Sequence, residues 1–84
     1  MSKQEYTIYG TQGCYECTQA KKLLETKGLP LNYIDAPTSL FFQNTFVAKG
    51  IRKVPQIYVT DSEGNEKHIG GYLELVREVM NAKR

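Results

Sequence analysis

Cys14 and Cys17, separated only by Tyr15 and Glu16, are the residues whose type and spacing point most directly to chemistry. Two cysteines at this spacing can close a structural disulfide, supply half of a metal site, or cycle between dithiol and disulfide. A zinc site takes about four ligands. Beyond the two cysteines the chain offers a single histidine, His68. Residues 1–5 have neither the basic start nor the apolar run of a secretory signal. The expected setting is therefore cytoplasmic, where thiols are kept reduced and permanent disulfides are disfavoured. A working redox pair becomes the leading reading.

Thiol–disulfide exchange needs a thiolate, and an ordinary cysteine, with a pKa of roughly 8.5, is mostly protonated at neutral pH. Position can change that. Cys14 falls where a loop enters a helix, so the unpaired N–H groups and positive dipole end favour its charged form. Glu16 opposes this as a nearby carboxylate. Cys17 lies about one turn further in, beside Cys14 and less accessible. The arrangement implies that Cys14 attacks a substrate disulfide and Cys17 then displaces the product from the mixed disulfide.

The pair needs elements to hold it. Glu5-Tyr6-Thr7-Ile8-Tyr9, ending at Gly10, reads as a strand that delivers the chain into the cysteine loop. From about Tyr15, Cys17, Ala20, Leu23 and Leu24 form one face of an amphipathic helix that Gly28 and Pro30 end near Lys27. Leu31 to Ile34 fits a second strand, and residues 35–39 a turn into a helix spanning Leu40 to Lys49, stopped by Gly50. Residues 54–60 form a strand with Pro55 at its entry, followed by a turn at 61–65 and a short return strand at 66–69. Tyr72, Leu75, Val76, Val79 and Met80 mark a last helix.

The order β-α-β-α-β-β-α predicts an α/β fold with a four-stranded mixed sheet and helices on both faces. Eighty-four residues allow one domain, 1–84. A hydrophobic content of 40% with 24% charged residues is that of a globular chain, and no apolar run is long enough for a membrane span. A net charge of +2, scattered over eleven basic and nine acidic residues, gives no basic block for nucleic acid. Phe41, Phe42 and Phe46 read as packing, His68 as a surface or hydrogen-bonded residue, and Lys21 and Lys22 as a solvated helix face. Tyr9 and Tyr72 are placed to flank the site, with packing as their default role.

Three separated segments, Cys14-Tyr15-Glu16-Cys17, Val54-Pro55-Gln56-Ile57 and His68-Ile69-Gly70-Gly71-Tyr72, together resemble the glutaredoxin family, most closely the short glutaredoxins of bacteria and phages. The resemblance implies a thioredoxin-like fold, a cis peptide before Pro55, and a monomeric glutathione-disulfide oxidoreductase with Cys14 as nucleophile and Cys17 as resolving thiol. Glutathione would be the reductant, with no permanently bound cofactor. Disulfide-containing or glutathionylated proteins, among them ribonucleotide reductase, would be the partners. The implied glutathione contacts are Thr11, Tyr15, Lys53, Val54, Pro55, Gly70, Gly71, Tyr72, Leu73 and Glu74. Val54 would pair with the extended peptide, the start of the last helix would receive the γ-glutamyl carboxylate, and Glu74 its ammonium.

Two positions depart from the family pattern. Thr11 stands where a basic residue usually meets the glycyl carboxylate, which makes Lys53 and Arg52 the substitute cations. Tyr15 stands where many relatives carry proline, leaving the helix start less rigid. A carrier fed by thioredoxin reductase is the nearest alternative. A [2Fe–2S] module of the kind some relatives form is a further one, disfavoured by the second cysteine. Thioredoxin itself is disfavoured by the absence of Trp.

Overall fold

The computed structural model describes residues 4–82. Strand β1 (Glu5–Gly10) leads into helix α1 (Tyr15–Thr26) and returns through strand β2 (Leu31–Asp35), which pairs with β1 in parallel. Helix α2 (Leu40–Thr45) follows, then the antiparallel hairpin of β3 (Gln56–Thr60) and β4 (Glu66–Gly70), and helix α3 (Tyr72–Ala82). The sheet order is β2-β1-β3-β4, with β1 and β3 antiparallel at its centre.

Strand alternation divides the core in two. Tyr6 and Ile8 of β1 and Ile57 and Val59 of β3 point to one face, where Ala20 and Leu24 of α1 and Leu75 and Val79 of α3 pack on them. Each large apolar side chain sealed there contributes roughly 1.5–3 kcal/mol. On the opposite face Ala36, Phe42 and Phe46 pack with Tyr9, Val54 and Tyr58. Both faces are thus covered, as the element order requires. Phe42 and Phe46 are buried, whereas Phe41 stays 44% exposed at the edge of this aromatic group.

The second helix is shorter than the stretch 40–49 read from the sequence. It stops at Thr45, and residues Val47–Lys49 form a separate 3-10 turn closed by Gly50 at φ 82°. Thr45 and Val47 are β-branched and Leu40-Phe41-Phe42 breaks the helical period, so packing of Phe42 and Phe46 fixes the segment more than propensity does. Strand β3 begins at Gln56, two residues later than read, because Pro55 has no N–H for the ladder and the paired register starts at Tyr9 and Gln56. His68 donates from Nε2 a 2.8 Å hydrogen bond to the Gln56 side-chain oxygen and packs on Tyr58 at 4.8 Å between ring centroids. That gives it a structural role in the hairpin.

Candidate active site

Cys14 is the N-cap of α1, in an extended conformation at φ −89° and ψ 115°. Its Sγ accepts the Cys17 backbone N–H at 3.1 Å, so the sulfur does what a capping oxygen does elsewhere. Its carbonyl accepts from both the Thr18 N–H and the Thr18 hydroxyl at 3.1 Å, which anchors the first turn. Cys14 is half-buried and Cys17 buried, and both are free thiols. The sulfur with access to a substrate is therefore that of Cys14.

Cys17 is pushed up to about 11, mainly by burial and next by donating its own hydrogen bond to Cys14. Cys17 therefore keeps its proton at neutral pH, and its S–H and its N–H both aim at the Cys14 sulfur. Two groups placed to donate to a Cys17 thiolate counter the burial: the Thr11 backbone N–H and the Tyr33 hydroxyl. Tyr33 reaches this point from β2, where it stands opposite Ile8 in the parallel register. Gly10 makes room for it, since a Cβ there would lie 2.5 Å from the Tyr33 hydroxyl and 2.8 Å from the Cys17 sulfur.

A cleft of about 490 Å³ opens on one side of the cysteine loop, lined by Lys53, Val54, Pro55, Gly70, Gly71, Tyr72, Leu73 and Glu74, with Glu16 of α1 at its other wall. The Val54–Pro55 peptide is cis, as the resemblance implies. Gly70 has φ +126°, a conformation that favours glycine, and Gly71 lies close to the Pro55 carbonyl. Glu74 accepts the Gly71 N–H at 2.9 Å, and its own and the Gly71 backbone N–H groups hold its carboxyl below the usual carboxylate range. Lys53 and Arg77 add to that charge stabilisation.

Comparison with known families now bears on this geometry, because the glutaredoxin family model matches residues 6–63, from the first core strand through the hairpin turn. The chain belongs to the glutaredoxin family. Glutaredoxin 1 from Francisella tularensis, solved with cacodylate, is 26% identical over 93% of this chain and 98% of its own, with a TM-score of 0.64. The solution structure of glutaredoxin from Brucella melitensis is 30% identical over 94% and 82%, with a TM-score of 0.69. A buckwheat glutaredoxin–glutathione complex shares the fold at 23% identity over 95% and 72%, with a TM-score of 0.69. No curated protein matches.

As a glutaredoxin, the chain is a thiol oxidoreductase with a thioredoxin-like fold. Of the residues singled out from the sequence, eight line one cleft, from Lys53 to Glu74. Thr11 and Tyr15 do not. Thr11 borders a second cavity, of about 640 Å³, with Gln12, Gly13, Thr18, Lys21, Tyr33 and Asp35. Tyr15 is 74% exposed on the first turn of the helix. Arg52 is exposed and outside the cleft, so Lys53 is the cation that reaches it. Tyr33 was not legible as a site residue. Its one signal is a glycine ending β1 beside a tyrosine on the neighbouring strand, and that signal needs the register of two strands to be known.

Among the described residues no helix is long and apolar enough to cross a membrane. No cluster of three or more His, Cys, Asp or Glu among them could hold a metal ion.

Proposed function

We propose that this glutaredoxin reduces protein disulfides and glutathione mixed disulfides with glutathione as its electron source. Cys14 thiolate attacks the substrate disulfide, forming a mixed disulfide and expelling one thiolate, which takes a proton. Cys17 then attacks Cys14, closing the Cys14–Cys17 bond and releasing the second thiol. Two molecules of glutathione reopen the bond and leave as glutathione disulfide, so two electrons pass from glutathione to the substrate.

The observation that carries this reading is the position of the Cys14 sulfur at the start of the helix whose Glu16, two residues on, forms one wall of a cleft otherwise walled by Lys53 to Pro55 and Gly70 to Glu74. The cleft suits an extended γ-glutamyl peptide. The free backbone of Val54 can pair with its main chain, Lys53 with the glycyl carboxylate, and Glu74 with the ammonium. The buckwheat glutaredoxin of the same fold was solved as a glutathione complex, which supports glutathione as the ligand.

Turnover of a small disulfide with glutathione and glutathione reductase, compared with thioredoxin reductase alone, tests the electron source. Glutathione-driven turnover is expected to dominate, and a faster thioredoxin-reductase reaction would overturn the assignment. Cys14→Ser should abolish turnover on every disulfide, a loss of at least about a thousandfold. Cys17→Ser should lose protein-disulfide reduction and retain activity on glutathionylated substrates.

A further inference from the structure

The resolving cysteine is fully buried, although Tyr33 above it is exposed on its outer side, and this buried thiol has to lose its proton before it can attack. Beside it is Gly10, whose missing side chain leaves the Tyr33 hydroxyl and the Cys17 sulfur facing each other over the same point. The Tyr33 hydroxyl also donates to the Thr11 carbonyl at 3.3 Å, a long bond that is easily given up. The ring is held from its other side by Lys21, whose Nζ lies 5.7 Å from the centroid. The hydroxyl thus has two acceptors within reach, one constant and one that appears only when Cys17 ionises.

We propose that Tyr33 is a positioning residue for the resolving step, moving its hydrogen bond from the Thr11 carbonyl to the Cys17 sulfur as that sulfur gives up its proton. The inference rests on the exchange cycle proposed above. When Cys14 is tied up in the mixed disulfide, it can no longer accept the Cys17 proton or repel its charge. Burial then stands against only two donors, the Thr11 N–H and the Tyr33 hydroxyl. Cys17 gives its proton to solvent water, the thiolate so formed attacks Cys14, the Cys14–Cys17 bond forms, the bond to the substrate sulfur breaks, and the departing thiolate takes the electron pair and then a proton from water.

The charged and titratable groups around this point are Cys14 at the head of α1, Asp35 at the end of β2 and Lys21 over the ring. Tyr33→Phe leaves all of them, and the ring, in place. Reduced protein mixed with a symmetrical nitrobenzoate disulfide releases one coloured thiolate as Cys14 attacks and a second as Cys17 resolves, so one trace reads both steps. In Tyr33→Phe the second phase should slow about tenfold at neutral pH, the scale of one hydrogen bond to a charged group, and its pH profile should move to higher pH. The first phase should stay within about twofold. An unchanged second phase, or equal slowing of both phases, overturns the proposal. Wild type with no first phase would instead refute the exchange cycle, and the proposal with it. In a Cys14→Ser background, thiolate absorbance of Cys17 should titrate at higher pH when Tyr33 is replaced by Phe, and no displacement there also overturns the role.

Discussion

The two sides of the cysteine loop are built in opposite ways. Around Cys17 the packing is tight: the sulfur and the Tyr33 hydroxyl crowd over Gly10, and a Cβ there would meet three atoms at 3.0 Å or less. Beyond Cys14 it is open: Gly71 faces the cleft, and a Cβ there would meet only the Glu74 carboxylate at 3.4 Å and the Pro55 carbonyl at 3.7 Å. A glycine therefore stands at both places for different reasons. One makes room for chemistry within the protein, the other for a molecule arriving from outside. The contrast explains how two cysteines three residues apart come to differ, since Cys14 is reachable while burial holds Cys17 as a neutral thiol.

Substituting the two glycines is the strongest way to break this comparison. Gly10→Ala should cost about 1–3 kcal/mol of stability, because overpacking against a fixed helix forces a shift of Cys17 or Tyr33, and should slow the resolving step. Gly71→Ala should lower stability by less than about 1 kcal/mol and act instead on the KM for glutathione. Thermal unfolding and steady-state kinetics of the two variants separate these effects. Equal destabilisation would mean that the two sides are not built differently.

A smaller effect sharpens the open side. Lys53 is exposed at the cleft wall, where the proposed function has it meet the glycyl carboxylate in place of the basic residue that Thr11 replaces. Lys53→Ala should raise the KM for glutathione about three- to tenfold with kcat little changed, and the difference should shrink as salt is added. A KM insensitive to Lys53 would move the glycyl carboxylate elsewhere.

How much of this was legible from the sequence follows the reach of each interaction. The Cys14–Cys17 pair at a helix start, the proline-entered strand and the double glycine are local patterns, and chain order alone places them on adjoining loops. The cleft formed by residues 53–55 and 70–74 follows from those segments. The tightly packed side does not. The resemblance makes Thr11 a ligand position, and its backbone in addition serves Cys17 and Tyr33. Tyr33 matters only because the parallel register sets Ile8 beside Tyr33 and Gly10 beside Asp35, and a register between strands separated by a helix is not written in either strand. The second helix was overextended for a related reason: Phe42 and Phe46 commit to the aromatic core, which propensity cannot see.

The central claim is that the two sulfurs are chemically distinct in the reduced protein, and competitive alkylation reads that difference most directly. Brief treatment of the reduced wild-type protein with iodoacetamide at neutral pH, followed by peptide mass mapping, should place nearly all of the label on Cys14 and leave Cys17 unmodified until the protein is unfolded. Equal labelling of the two residues, or earlier labelling of Cys17, would contradict the account.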